Sequence, residues 1–291
     1  MTPSPKFAFP SAIACVLGLA SPFFLVEQDS PHGIQPHPRV LVSNDDGWDA
    51  EGLQSLAVEL STFCEVVVCA PAINQSGKSQ ASEMFGKGLT ITRVEIEGVE
   101  EAWSLAGTPA DAVAYGLLKL GGERPFDCVV VGINAGANVG EISHYSGTVG
   151  AAMEAAGRGV LAVAVSQQSR SGFNQAARFT GRFLGKLLEN GTRKGVVYSI
   201  NVPRLKAGVS PPVVFSPMGG RYLNIRGFSK EEKGEEGFAV RAKLDFRAEA
   251  PAGSDTLAFL QGAITVTPLA WDWTHTEALA SLKSWEGEWQ E

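Results

Sequence analysis

The feature that most limits the fold is a series of short apolar runs, each closed by a polar loop and followed by residues at helical spacing. RVLVS (39–43), VVVCA (66–70), FDCVVVG (126–132), VLAVAVS (160–166) and GVVYSINVP (195–203) make up the series. FDCVVVG is the kind of continuous apolar stretch that a parallel strand covered on both faces requires. Between the runs, Leu53, Leu56, Ala57 and Leu60 recur on a helical period, and Thr108-Pro109 opens a helix whose apolar face is Ala112 to Leu120. Ser146 to Gly157 and Phe173 to Leu188 read as two further helices, and LTITRVEIE (89–97) as another strand. This alternation predicts an α/β fold of right-handed βαβ units, with a mostly parallel sheet sandwiched by helices. Ligands on such sheets sit beyond the carboxyl ends of the strands.

After Pro203 the pattern changes. PPVVFSP, the mixed-charge KEEKGEEG and FAVRAKLDF predict a smaller β-rich excursion over 204–253, and SDTLAFLQGAITVTPL returns to the core as a helix and a strand over 254–270. The chain closes with an amphipathic, Trp-rich tail over 271–291. At the other end, residues 1–38 end in the turn-rich PHGIQPHP and are expected to lie outside the 39–270 unit, whose core is 39–203.

Charge and cysteine usage narrow the classes of partner. A formal net charge of -7 argues against a nucleic-acid duplex or an anionic membrane as the main partner, since either wants a dense Lys/Arg face. Cys15, Cys64, Cys69 and Cys128 fall in or beside apolar segments without CxxC spacing, which reads as buried free thiols in a reducing compartment. The apolar run Ser11 to Val26 is shorter than a membrane span, is interrupted by Pro22 and has only Lys6 ahead of it. Cytoplasmic residence is the expectation, with organelle targeting or export left open by that run.

Three loops that follow predicted strands carry more polar residues than a turn needs. Asn44-Asp45-Asp46-Gly47 places two carboxylates side by side; they repel and raise each other's pKa unless a hard divalent cation intervenes, although the same four residues also make an Asx turn. Asn74-Gln75-Ser76-Gly77 offers a hydroxyl that would complete an oxygen-rich shell, or is an ordinary loop. In the third loop Asn134 comes straight off a strand, Asn138 is four residues on, and Ser146-Gly147-Thr148 opens a helix. Such a helix start suits a phosphate, and Ser146 or Thr148 also serves as a plain cap. Together the loops would set a hard-metal site of oxygens beside an anion cradle, as metal-assisted phosphoryl transfer requires.

The segments LVSNDDGWDAEGLQSLA, VVVCAPAINQSGKS, LAGTPADAVAYGLL, DCVVVGINAGANVGEISHYSGTVGAAMEA and SDTLAFLQGAITVTPL resemble the SurE family of survival-protein nucleotidases, in order, over roughly residues 39–270. The resemblance implies a Rossmann-like core with a smaller extension and one divalent cation per subunit, Mg²⁺ or Mn²⁺. It also implies phosphoric monoester hydrolysis of nucleoside 5′- and 3′-monophosphates, with short polyphosphate a substrate of some members. By position it makes Asp45, Asp46, Ser76 and Asn134 the metal ligands, with Asp45 and Asp46 catalytic. Asn138, Ser146, Gly147 and Thr148 would line the phosphate site, Asn44 would support the metal loop, and Thr108 and Asp111 would act structurally behind it. The family's homodimers and homotetramers make the Trp271 to Trp289 tail a candidate for subunit exchange, with packing on its own subunit the alternative.

In the implied mechanism the cation polarises a phosphoryl oxygen and the attacking water, whose proton passes to the Asp45/Asp46 pair. His144, the one histidine inside a site loop, is a candidate donor to the leaving alkoxide or a local hydrogen-bonding residue. A dinucleotide-binding oxidoreductase would need GxGxxG where this chain has NDDG. A non-catalytic nucleotide or metal sensor on the same fold is the remaining alternative.

Overall fold

The computed structural model describes residues 37–86, 88–191, 193–204, 209–232, 237–246 and 249–286. The apolar run 11–26, Cys15 and Trp289 lie outside them. Strand β1 (Arg39–Ser43) leads to α1 (Glu51–Leu60), β2 (Glu65–Pro71), β3 (Ile91–Ile96), β4 (Val99–Leu105) and α2 (Pro109–Tyr115). There follow β5 (Cys128–Ala135), α3 (Gly147–Gly157), β6 (Leu161–Gln167), α4 (Asn174–Asn190) and β7 (Val196–Val202). The remainder is β8 (Val213–Phe215), β9 (Asn224–Glu232), β10 (Phe238–Asp245), α5 (Asp255–Leu260), β11 (Ile264–Ala270) and α6 (Thr276–Lys283).

Nine strands form one sheet in the order β3-β4-β2-β1-β5-β6-β7-β11-β8. From β4 to β7 every neighbouring pair is parallel, whereas β3 runs antiparallel to β4 and β11 antiparallel to β7. The chain leaves β1 toward β2 and later returns to its other side as β5. The crevice between the ends of β1 and β5 is therefore the switch point where such a sheet accepts a ligand.

Alternation along the strands feeds two cores. Val40, Val42, Val130 and Val163 face Leu53, Leu56, Leu60 and Leu184 of α1 and α4. Leu41, Val67, Val129 and Val131 face Val113, Ala152 and Ala155 of α2 and α3. The central strand β1 is buried along its whole length, as a strand covered on both faces must be. The alanines of α3 let that helix lie close on the sheet, with Ala151, Ala152 and Ala155 fully buried.

The structure departs from the sequence reading in four places. Strand β4 was not foreseen: its VEEAWSL mixes polar and apolar residues, with Ala102, Ser104 and Leu105 buried and Glu100 exposed. Helix α2 ends at Tyr115 and continues as a wider π turn over Gly116–Leu120 rather than as one helix to Leu120. Within the excursion, β8 pairs with β11 and so belongs to the main sheet, whereas β9 and β10 form a separate antiparallel ribbon. The charged KEEKGEEG segment begins inside β9. Cys64, Cys69 and Cys128 are free and buried, as expected, and burial pushes the Cys64 and Cys69 thiols up to about 12.

Candidate active site

At the end of β1 the buried Asn44 closes the loop on itself: its side-chain nitrogen donates to the Gly47 carbonyl at 2.8 Å and its oxygen accepts from Gly47 N at 3.2 Å. The Asx turn is thus real, and Gly47, at φ 117, supplies the backbone that lets it close. What the turn does is present two carboxylates in different directions. Asp45 turns inward, 2% exposed, where the Thr148 hydroxyl donates to its Oδ1 at 2.7 Å. Asp46, half-buried, accepts from Asn74 Nδ2 at 2.9 Å on Oδ1 and from the Ala135 backbone N–H at 3.2 Å on Oδ2.

The Asp45 carboxyl is pushed up to about 6, first by burial; the Thr148 hydrogen bond opposes this and the Asp46 charge adds to it. Repulsion within the pair is real, but it is secondary to desolvation.

Asp46 gathers the other two loops. The second reaches it through Asn74, and Gln75 N donates to the Asp45 carbonyl at 2.7 Å. Ser76, exposed, follows with its N–H on Asn74 Oδ1 at 3.0 Å. The far part of this loop is pinned by the buried Asp111: Oδ1 accepts from Ser82 Oγ at 2.6 Å, and Oδ2 from Glu83 N at 2.9 Å and Thr108 N at 3.1 Å. Thr108 Oγ1 adds a 2.6 Å bond to the Ala81 carbonyl. The structural role expected for Thr108 and Asp111 is therefore to clamp the Ser76 loop onto the start of α2.

The third loop arrives from β5. A bulge between Val131 and Asn134 shifts the register so that Asn134 pairs with Ser166 of β6, and the Asn134 amide donates to the Gly136 carbonyl at 2.8 Å. Asn138 is buried in a network, with its N–H on Asn201 Oδ1 at 2.7 Å and its side-chain amide on Ser166 Oγ at 2.8 Å. A short 3₁₀ turn, Glu141–Tyr145, then delivers Ser146, whose Oγ caps α3 by accepting from Val149 N at 3.1 Å. A methyl on Gly147 would sit 2.8 Å from Asp45 Oδ2, so the absence of a side chain there lets the helix start approach the carboxylate. His144 is exposed, and its carbonyl accepts from Ser79 Oγ at 2.8 Å, which ties the second loop to the third.

The structure thus brings Asn44, Asp45, Asp46, Gly147 and Thr148 into one cluster, with the Ser76 loop and the end of β5 bonded to it. Asn138 stands behind the cluster as a loop anchor, and Thr148 bonds the carboxylate. Three contributors carry no role in the sequence reading: Asn74, Asn201 and Ser166. Asn74 lay in a loop already marked as polar, whereas Ser166 and Asn201 sit near the ends of the largely apolar strands β6 and β7, where a buried polar residue is the signal.

The sequence model of the family described as Survival protein SurE matches residues 40–223. The 5′-nucleotidase SurE of Rhodopirellula baltica is 34% identical over 252 residues, covering 85% of this chain and 98% of that protein. The 5′/3′-nucleotidase SurE of Yersinia pseudotuberculosis is 35% identical over 258 residues, covering 86% and 99%. This chain belongs to the SurE family. The crystal structure of the SurE protein from Aquifex aeolicus superimposes with a TM-score of 0.73 at 30% identity, covering 86% of this chain and all of that one.

The SurE-family cluster fits a hard divalent cation by its chemistry. Its candidate donors are two carboxylates, a serine hydroxyl and an asparagine amide, all oxygens, which is the set such ions take. Asp45 is a buried acid beside the start of α3, at a cradle that a Gly147 side chain would fill, and a cation there would offset the cost of burying its charge.

Proposed function

We propose that this chain is a divalent-metal-dependent phosphomonoesterase that hydrolyses nucleoside 5′- and 3′-monophosphates to nucleoside and phosphate, with short polyphosphate as a further substrate. The observation that carries the reading is Asp45, buried at the start of α3 and held by Thr148 and Gly147 beside Asp46. The names borne by the Rhodopirellula and Yersinia relatives support the substrate class. In this reading Asp45, Asp46, Ser76 and Asn134 hold one Mg²⁺ or Mn²⁺ per subunit. When bound, that ion supplies positive charge to polarise the phosphoryl group.

The chain's own residues do the rest. In this reading the Gly147 N–H and the Ser146 hydroxyl at the start of α3 meet the phosphoryl oxygens, since Ser146 N is already on the Ser143 carbonyl and Val149 N on Ser146 Oγ. Thr148 fixes the orientation of Asp45, Asn44 fixes the turn, and Asn138 fixes the approach of the loop to the helix. The Asp45/Asp46 pair takes the proton of the attacking water, and His144, exposed at the loop's edge, donates to the leaving alkoxide. Residues 39–270 form the catalytic unit, with 204–253 overhanging it and 271–291 joining subunits. The buried free thiols are consistent with a reducing, cytoplasmic setting.

Phosphate release from nucleoside monophosphates, measured with Mg²⁺ or Mn²⁺ and again with chelator, tests the proposal. Metal-dependent turnover that chelator abolishes is expected; absent or metal-independent turnover would overturn it.

A further inference from the structure

Asp255 opens α5, far from Asp45 in sequence, and is 2% exposed. Its Oδ2 accepts the Gly140 N–H at 2.9 Å, and its Oδ1 accepts those of Gly219 at 2.9 Å and Thr256 at 2.8 Å. One buried carboxylate therefore joins the loop that delivers Ser146, the entry to the β9–β10 ribbon, and its own helix. A helix cap does not require it, because Ser254 Oγ already caps α5 by accepting from Leu257 N at 3.2 Å. Burying a carboxylate is costly, so its retention needs another cause.

The surroundings show what the bond holds. Gly140, at φ 59, has no room for a side chain: a Cβ would meet the Gly220 carbonyl and, at 2.5 Å, Thr256 Oγ1. Glu141 N donates to the Gly220 carbonyl at 2.9 Å, and Glu141 pairs with Arg221 at 2.8 Å. Arg221 in turn exchanges backbone bonds with Glu249, beyond β10. Ser143 Oγ, bonded at 2.8 Å to the carbonyls of both Asn138 and Gly140, closes the loop toward Ser146.

We infer that Asp255 is a positioning residue: by fixing Gly140 against Gly219 it sets the height of the 3₁₀ turn that presents the Ser146 helix start to a phosphate, and it couples that start to the ribbon. The inference rests on the phosphatase reading for its catalytic part, and its structural part stands on the hydrogen bonds alone. Substrate placement of this kind is steep, since small displacements cost large factors in rate.

The test compares the full-length wild-type chain with Asp255→Asn, which keeps one acceptor oxygen and turns an N–H group on the other bond. Backbone hydrogen exchange of the metal-free wild type should show Gly140 and Gly219 protected, and the variant should lose that protection together over residues 138–146. With Mg²⁺, binding of inorganic phosphate by calorimetry should weaken at least about tenfold, and KM for AMP should rise by a similar factor, more than kcat falls. The Mg²⁺ midpoint should move less, because Asp45 and Asp46 are untouched. Fast exchange at Gly140 in the wild type overturns the inference even if the variant does not fold. So does a variant with a lowered thermal midpoint but unaltered phosphate binding. A wild type that does not hydrolyse AMP sinks the phosphatase reading instead, and leaves exchange and phosphate binding to decide the role of Asp255.

Discussion

Asp45 and Asp46 are neighbours in the chain yet meet opposite surroundings: one is buried under the start of α3 with a hydroxyl on it, the other is half-exposed between Asn74 and the Ala135 N–H. That difference shapes what substitution should do. Asp45→Asn keeps an oxygen for Thr148 and removes a charge that burial already disfavours, so the metal-free fold should hold its thermal midpoint while phosphate release falls at least about a hundredfold. Asp46→Asn should lose activity similarly; unfolding of either metal-free variant would mark these residues as structural turn formers. Thr148→Val tests the support for Asp45: without the hydroxyl, metal activation should weaken by about tenfold and Thr148→Ser should restore it. A divalent-ion titration of the three chains reads the result. At this scale the sequence singled out the loops more readily than what their residues touch. Asn-Asp-Asp-Gly was legible as both a turn and a pair of acids, and it is both. That Thr148 bonds Asp45 across 103 positions was not legible, because a helix-start threonine looks the same when it caps, binds an anion or supports a ligand.

The elements show why some loops were readable and others were not. Helix α2 announced itself with Thr-Pro-Ala-Asp, and the capping box is present, with Thr108 and Asp111 bonded to each other's backbone N–H. The sequence could not show that the same Asp111 also clamps the Ser76 loop, since Ser82 and Glu83 come from a stretch without a periodic pattern. Strand β4 escaped notice for a related reason: Glu100 and Glu101 interrupt its apolar pattern, whereas β1, β5 and β6 read as continuous apolar runs because helices cover both faces. The clamp carries a pH signature. Burial raises the Asp111 pKa, but the hydrogen bonds from Ser82, Glu83 and Thr108 outweigh it and hold the carboxyl below its ordinary 3.8. A carboxyl lowered on folding adds stability above its unfolded value and loses it as the pH falls toward the folded one. Asp111→Asn should therefore cost about 1–3 kcal/mol near neutrality, where a buried donor is left poorly paired. The gap from wild type should narrow as the pH drops below about 4. Urea unfolding of both chains across that range checks it; a constant gap would remove the charge from the explanation.

For the whole molecule the informative feature is what the fold leaves uncovered. No described residue of α6 is buried, although Leu279, Leu282 and the following Trp285 are 44%, 51% and 50% exposed. The root of the tail is anchored where Trp271 N donates to the Gly195 carbonyl at 2.9 Å and its indole fills the space beside Gly157. At its root the tail thus packs on its own subunit, whereas α6 beyond it is exposed in the single chain. The β9–β10 ribbon adds Phe228, Phe238 and Val240, each more than half exposed. Apolar side chains gathered this way on a separate helix and ribbon are a solubility liability in a lone subunit and a natural surface for a second copy. The tail is the part that the main sheet does not need, so it can be tested without harming the site. Leu282→Glu combined with Trp285→Glu should shift the native mass from a dimer or tetramer toward the 30.8 kDa monomer in light scattering, with the thermal midpoint of the catalytic unit little changed. Because the substituted residues are not among Asp45, Asp46 or Thr148, turnover per chain should persist. A wild type that is monomeric at high micromolar concentration would remove the tail's proposed role. An oligomer that survives both substitutions would move the interface to the ribbon, where Phe228→Asp is the next variant to weigh.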